Sequence, residues 1–540
     1  MINNKKDAWW KHGVIYHIYP LSFNDSNNDG KGDIPGIITK LDYLSELGVD
    51  AIWLSPVYSS PMMDFGYDVS DYYTIDPVFG TMDDFKKLLD EAHARGIRVI
   101  MDMIMNHTSH LHPWFLESKS SKYNNPKHDW YIWHNPRKGR KPNRWKSALG
   151  GSAWEYDKTT KQYYLHTFLK EQPDLNWRNK YMRKAFFDII EFWLNMGVDG
   201  FRFDAINMIV KHAKLRNNPA LFGIFRIKEK WSTRNQPYSY TVIRKMRKLF
   251  DKYEDAVSIG EIYAFPPGNP AVSASYLGCG NDMLDLTFDF SIVFRWWNAR
   301  RYYNCIRNWY EHIPDNGWPS IVFSNHDLCR SYNRFGIGFH KKEKAKVAAV
   351  LLLTLKGTPF IYYGEEIGMK NTWIAKSQLQ DPIGKPFWPF YQGRDMARTP
   401  MQWNAQQHAG FSSTQPWLPV NSSYVENNVE QQKEDKDSLY NIYKTLLSLR
   451  KEHKPLQAGE WEPMLCGKRG IIAYAREYDN EKIIVLLNFT ASSKKARIHH
   501  TSEWQVLFST HRQNAENVLL ENMKLFPFEA TVLNNETDQQ

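Results

Sequence analysis

Cysteine is scarce in this chain. There are four, Cys279, Cys305, Cys329 and Cys466, and no two form a C-x-x-C pair. That excludes a disulfide framework and a zinc-ribbon type of site, and it suits a reducing compartment. Long apolar runs are missing too. The N-terminal MINNKKDAWWKHG has no apolar core of signal-peptide length. The longest aliphatic run, VAAVLLLTL at 347–355, stops at Lys356 and is too short to cross a bilayer. A cytoplasmic protein without a membrane partner is therefore expected. No strand-like segment opens into a G-x-G-x-x-G or P-loop turn, which argues against a nucleotide-binding open sheet. A net charge of +10 has one local source in RKGRKPNRWK at 137–146. No nucleic-acid-binding motif accompanies it, so it reads as a solvated basic loop and no nucleic-acid partner is expected.

What is plentiful is aromatic: 15% of the chain, with 21 Trp and 30 Tyr. Ring faces pack on the apolar faces of sugars, but they also fill cores, and composition does not separate the two. A length of 540 residues exceeds what one core serves, and suggests a large domain with one or two smaller ones.

Several segments repeat one plan: amphipathic helix, glycine, short apolar strand. In IPGIITKLDYLSELG the apolar positions Ile34, Ile37, Ile38, Leu41, Leu44 and Leu47 follow helical spacing, with Pro35 in the first turn and Gly48 as the stop. MDDFKKLLDEAHARG and FFDIIEFWLNMG repeat the plan, ending at Gly96 and Gly197. Eight strands are expected, at 14–18, 51–55, 98–104, 200–204, 257–261, 284–288, 321–325 and 358–363. Alternation of helices with buried strands indicates a parallel sheet, and eight such units indicate a closed (β/α)₈ barrel, a TIM barrel of the α/β class.

The barrel is expected to comprise 1–104 and 177–456, with an inserted subdomain at 105–176 after the third strand. Short β-like runs such as GIIAYAREY and KIIVLLNF mark a separate antiparallel β domain at 457–540.

Polar residues gather at the C-terminal strand ends: Asp102, Asn106 and His107 after the third, Asp204 at the fourth, Glu261 at the fifth, His326 and Asp327 after the seventh. That end is where barrel enzymes build their sites. In GFRFDAINMI, at 200–209, Arg202 and Asp204 share one strand face while Phe201 and Phe203 take the other. A charged pair on the inner face of a buried strand is costly unless it is partnered or used.

The set DMIMNH (102–107), GFRFDAINMI (200–209), GEIY (260–263) and FSNHD (323–327), in that order, resembles the motifs of the α-amylase superfamily, glycoside hydrolase family thirteen, and within it the oligo-1,6-glucosidase/maltase-like α-glucosidases. VIYHIYP, QPDLNW, GTPFIYYGEEIGM and GRDMARTPMQW add matches, so the resemblance covers nearly the whole chain. It implies a retaining glycosidase with Asp204 as nucleophile, Glu261 as general acid/base and Asp327 as transition-state stabiliser. It implies substrate contacts from Asp64, Tyr67, His107, Phe168, Gln172, Arg202, His326 and Arg394. The Asp64–Arg394 pair would close the pocket and favour exo-cleavage. Arg202 is expected to keep Asp204 charged, and Glu261 to hold its proton by a raised pKa.

DSNNDGKGD at 25–33 places oxygen side chains at alternate positions. That spacing suits a hard cation. The resemblance implies structural Ca²⁺, with Mg²⁺ as the other candidate, on Asp25, Asn27, Asp29, the Lys31 carbonyl and Asp33. No organic cofactor is expected.

Ala205, following the nucleophile, and the LRNNPAL segment resemble the α-1,4 group more than the α-1,6 group, whose members tend to carry valine after the nucleophile. The expected substrate is therefore maltose or a short α-glucoside. Oligo-1,6-glucosidase, trehalose-6-phosphate hydrolase and sucrose-isomerase-like transglycosylase are the other enzyme readings. A catalytically inactive partner protein like the amino-acid transporter heavy chains is the non-enzyme reading. FSNHDLCR departs from the commoner N-H-D-Q-P-R, which marks the subsite beyond the scissile bond as unusual.

Overall fold

The structure, a computed structural model, describes residues 8–535 except 219, 222–224, 227–231, 265–267, 337–338, 499–502 and 522. Within LRNNPAL, Pro219 thus lies outside the described residues.

Eight parallel strands form the central sheet: β1 (Ile15–Ile18), β2 (Ala51–Leu54), β3 (Arg98–Ile104), β4 (Gly200–Asp204), β5 (Val257–Gly260), β6 (Leu286–Thr287), β7 (Ser320–Val322) and β8 (Thr358–Tyr362). Their order is β6-β5-β4-β3-β2-β1-β8-β7, which is a (β/α)₈ cylinder unrolled at one seam. Six of the strands fall within a residue of their expected segments; β6 is only two residues long, and β7 ends three residues short of the expected 325. At the seam no ladder joins β6 to β7 among the described residues; the Ser320 hydroxyl donates instead to the Thr287 carbonyl at 2.7 Å.

The helix expected across 34–47 is two helices, Ile34–Ile38 and Leu41–Leu47. Thr39 closes the first by donating its hydroxyl back to the Gly36 carbonyl at 2.7 Å, a local bond that competes with helix continuation. Gly48 ends the second in the left-handed conformation (φ 98°), as its position suggested.

Strand β4 shows why its sequence works. Phe201 and Phe203 face outward onto Phe250 of helix α1 (Pro237–Phe250), with ring centroids 6.3 and 5.9 Å apart. Arg202 and Asp204 face inward. At Gly200 (φ 154°) a Cβ would lie 2.3 Å from the Val257 carbonyl oxygen, so only glycine lets β5 approach here.

Between β3 and β4 the inserted segment forms a three-stranded antiparallel sheet, with Gln162–Leu165 between Trp133–His134 and Trp154–Asp157. Toward the C-terminus, six antiparallel strands between Glu460 and Asn534 make a second sheet. Fully buried Arg476 fastens that sheet to the barrel by donating to the Thr354 carbonyl at 2.7 Å. Among the described residues no helix is long and apolar enough to cross a membrane, and all four cysteines are free thiols.

Candidate active site

Strand register assembles the acids. Arg202 of β4 is paired beside Asp102 of β3, and Ile259 of β5 beside Arg202. Asp204 and Glu261 therefore leave adjacent strands side by side at the C-terminal rim. Arg202 is fully buried, lies 5.2 Å over the Trp53 ring, and is the hub. Its Nη1 donates to Asp102 Oδ1 at 2.7 Å and to Asp204 Oδ1 at 3.0 Å. Its Nη2 lies 2.6 Å from Glu261 Oε1, in an alignment that is charge pairing rather than a hydrogen bond. The other Glu261 oxygen accepts the Ala205 N–H at 3.2 Å. Ala205 can offer it because its backbone is left-handed (φ 42°), a strained setting for a residue with a Cβ.

Three carboxyls thus face one guanidinium, and the last to ionise does so late. Burial is the largest influence on Glu261 and pushes its carboxyl up to about 6, against the pull of Arg202. Burial also pushes Asp204 well above the ordinary carboxylate range; Arg202 draws it down, and Glu261 and Asp102 add to the upward push. The sequence expectation that Arg202 keeps Asp204 charged is thus corrected: its pull has that sign, but desolvation and repulsion outweigh it. The two titrate as one unit that retains a proton. Asp327 is different. Burial opposes its charge, but His326, Arg394 and Arg398 together hold it well below the usual range. Arg398 donates to its Oδ1 at 2.8 Å, and the Tyr263 hydroxyl to its Oδ2 at 3.1 Å.

Above this cluster opens a cavity of about 460 Å³. Asp64, Tyr67, His107, Phe168, Asp204, His326, Asp327 and Arg394 all border it. Gln172 and Arg202 are fully buried and lie behind the wall, and Glu261 is fully buried beside Asp204. Gln172 donates to Asp64 Oδ2 at 3.2 Å, and the Tyr67 hydroxyl bridges Asp102 (3.0 Å) and His326 (2.7 Å). Burial lowers the pKa of both His107 and His326, whose imidazoles face the pocket. At one end Arg394 donates to Asp64 Oδ1 at 2.6 Å and closes the pocket.

Four site groups were not assigned from the sequence. Asp102 was noted at a strand end but given no role. Arg398 and Tyr263 lie inside the quoted GRDMARTP and GEIY strings. Asp381 had no signal at all: fully buried, it grips Arg394 through Nε and Nη2, each at 3.0 Å.

The 25–33 loop is a ladder of Asx turns. Asp25 accepts the N–H of Asn28 (2.7 Å) and Gly30 (2.8 Å), Asn27 that of Asp29 (2.9 Å), and Asp29 that of Lys31 (2.8 Å). Asp33 caps the Ile34–Ile38 helix by accepting from Gly36 at 2.6 Å. The donors are hard oxygens of the kind calcium takes. Among the described residues, however, no group of three or more His, Cys, Asp or Glu converges to hold an ion.

Comparison with known proteins agrees with this architecture. The model of the alpha-amylase catalytic domain matches residues 17–459. An oligo-1,6-glucosidase of Parageobacillus thermoglucosidasius is 40% identical, over 97% of this chain and 98% of its own length. A probable alpha-glucosidase of Rhizobium meliloti is 39% identical over 89% of each. The crystal structure of the alpha-glucosyl transfer enzyme XgtA superposes with a TM-score of 0.90 at 36% identity, covering 98% of this chain and 100% of that one. With a registered acid cluster at the rim of an eight-stranded cylinder and matches over nearly its full length, the chain is a glycoside hydrolase and belongs to the alpha-amylase family.

Proposed function

We propose that this protein is an exo-acting α-glucosidase that releases α-glucose from the non-reducing end of short α-glucosides with retention of configuration. One observation carries the reading: Asp204 and Glu261 stand side by side on register-paired strands, sharing one guanidinium, beside a pocket closed by Asp64 and Arg394. Paired strands lie roughly 4.8 Å apart. That suits the roughly 5–5.5 Å carboxyl separation of retaining glycosidases better than the wider gap of inverting ones.

In this reading Asp204 attacks the anomeric carbon while the Glu261 proton goes to the leaving oxygen. Water, deprotonated by Glu261, then cleaves the glucosyl ester on Asp204. Asp327 stabilises the transition state, and His107 and His326 hold sugar hydroxyls. Asp64 and Arg394 bind the terminal sugar and stop longer chains from threading, and Tyr67 and Phe168 supply ring faces. Arg202 and Gln172 act from behind the wall, by positioning.

For linkage, kinship with an oligo-1,6-glucosidase supports α-1,6-glucosides such as isomaltose. The second reading, maltose and α-1,4 preference, rests on the small Ala205 next to the nucleophile. The trehalose-6-phosphate reading gains no support from the basic 137–146 segment, since none of its cations borders the pocket among the described residues. All three acids of the site are present, which disfavours an inactive partner protein. We further propose that the 25–33 loop binds a structural Ca²⁺ through Asp25, Asn27, Asp29, the Lys31 carbonyl and Asp33, where it would serve folding and no chemical step. Four free thiols support a cytoplasmic setting.

The test is a hydrolysis panel read by NMR. Isomaltose is expected to turn over faster than maltose, with α-glucose appearing first, and Asp204→Asn is expected to lower kcat by on the order of 10⁴ or more while the protein stays folded. Faster maltose hydrolysis would select the second reading, and β-glucose as first product would reject the mechanism.

A further inference from the structure

The basic segment RKGRKPNRWK, at 137–146, is held in a defined shape. Lys138 and Gly139 both take the left-handed conformation (φ 50° and 70°), which makes a tight hairpin turn. Arg137 and Arg140 flank it and exchange backbone hydrogen bonds at 2.8 and 3.0 Å. Trp145 anchors the other end: it is buried, and its indole N–H donates to the Arg216 carbonyl at 2.8 Å. Asn143 accepts the Trp154 indole N–H at 2.7 Å and donates to the Leu215 carbonyl at 3.0 Å. The segment is thus pinned both to the inserted sheet and to the chain that follows β4.

The result is a groove of about 960 Å³ bordered by Arg137, Lys138, Arg140, Lys141, Arg144 and Lys146. All six cations are exposed. Among the described residues no carboxylate borders the groove and none of the six makes an ion pair. Like charges held together without counter-charge repel, and a bound polyanion relieves that repulsion. The groove also adjoins the catalytic pocket. Ser147 donates its hydroxyl to the Phe168 carbonyl at 2.6 Å, and Ala148, Leu149 and Phe168 all border the pocket. Lys146 and Ala148 are two residues apart in the chain, so their Cα atoms lie at most about 7.6 Å from each other. A glucoside whose remainder leaves the pocket over Ala148 meets Lys146 next.

We propose that this groove binds a chain of phosphate groups, so that α-glucosides carried on a phosphate-linked chain are substrates. This rests on the α-glucosidase reading above. The terminal glucose fills the pocket, and the phosphates track past Lys146 and Arg144 toward the turn. Guanidinium forks match phosphate oxygens, and the lysines add point charges. A nucleic acid fits less well: among the described residues the one aromatic ring bordering the groove, Trp145, is buried and offers no platform for a base. An acidic peptide fits less well too, because Arg137 and Arg140 spend their backbone groups on each other and leave no strand edge to pair with. The six cations stand outside the pocket itself, so a phosphate on the sugar next to the scissile bond does not reach them, whereas a longer chain does. In hydrolysis the glycosidic bond breaks, water gives its hydroxyl to glucose and a proton to the leaving oxygen, and the phosphate links stay intact.

α-Glucosyl glycerol, neutral or extended by one, two or four glycerol-phosphate units, tests this, because the glucose half and the scissile bond stay constant. At low salt kcat/KM relative to the neutral glucoside is expected to rise with chain length to about tenfold, the combined effect of several exposed ion pairs. In 1 M salt, where the screening length is about 3 Å, the ratio is expected to fall toward one. Two triple variants, Arg137→Gln with Arg140→Gln and Arg144→Gln, and Lys138→Gln with Lys141→Gln and Lys146→Gln, are each expected to cut the ratio several-fold. Because a ratio is read, any general loss of activity cancels. Inorganic polyphosphate is expected to compete with the four-unit substrate, with polyglutamate and oligothymidylate of equal charge several-fold weaker. Equal competition by all three would overturn the assignment to phosphate. Polyphosphate that binds while the series stays flat would make the groove a site for free polyphosphate and overturn the substrate claim. A flat series, or a ratio unchanged in both variants, overturns the proposal while leaving the glucosidase reading intact if isomaltose is cleaved. Failure to cleave any α-glucoside would overturn both.

Discussion

The guanidinium of Arg202 is shared between two acids on neighbouring strands: Nη1 donates to Asp204 Oδ1 at 3.0 Å, and Nη2 lies 2.6 Å from Glu261 Oε1. Asp102 takes a third share, through both carboxylate oxygens, at 2.7 and 2.8 Å. One planar cation thereby fixes the relative placement of the proposed nucleophile and proton donor.

The first prediction concerns that cation. Arg202→Lys keeps the charge but loses the fork, so kcat is expected to fall by about two orders of magnitude, the scale of a misplaced catalytic group. Arg202→Met strands three buried carboxyls and is expected to destabilise the fold by about 3–5 kcal/mol, the cost of breaking a buried ion pair. Urea denaturation beside single-turnover rates checks both. A Met variant as stable as the parent would show that Arg202 is not the electrostatic anchor.

A second prediction follows from the raised Glu261 carboxyl. The acid works only while it holds its proton, so a pKa of about 6 makes kcat/KM fall as pH rises through about 6. α-Glucosyl fluoride needs no proton on its leaving group, and for it the alkaline limb is expected to vanish from the glycosylation step. Profiles that coincide for isomaltose and the fluoride would assign that limb to another group.

Asp381 supplies the third. It grips Arg394 through Nε and Nη2 and also accepts the N–H of Ile383 at 3.1 Å, so Asp381→Asn is expected to loosen Arg394 and raise KM by about tenfold with a smaller change in kcat. Tenfold is the low end for a lost charge-assisted hydrogen bond. Steady-state kinetics on isomaltose gives the split; an unchanged KM would mean that Asp64 alone suffices to place Arg394.

The fourth addresses the loop at 25–33. If it binds calcium as proposed, exhaustive chelation is expected to lower Tm, and added Ca²⁺ to restore it. At free calcium about a hundredfold above Kd the linkage is worth about 2.7 kcal/mol. Identical melting with and without chelator, together with no divalent ion by elemental measurement, would leave the Asx-turn ladder as the whole story.

Much of the molecule was legible before folding. β4 was readable to the residue because alternation is fixed by covalent geometry: Phe201 and Phe203 had to lie opposite Arg202 and Asp204. Gly48 and Gly197 marked helix ends because glycine enters the left-handed region without a Cβ clash. β6 was hard to read because its two residues are held by neighbours rather than by their own pattern. The break at Thr39 was hidden because one side-chain hydroxyl bond there outcompetes an otherwise consistent apolar stripe.

Sequence by itself determined the strand–helix alternation, which acids end which strands, and which side chains share a face, since these depend on neighbours a few bonds away. Only the tertiary structure decided that Asp381 would grip Arg394, that Glu261 would accept the Ala205 N–H, and that desolvation would outweigh Arg202 at Asp204. Those outcomes depend on distances between groups far apart in the chain and on the exclusion of water around them, and neither quantity exists until the barrel closes.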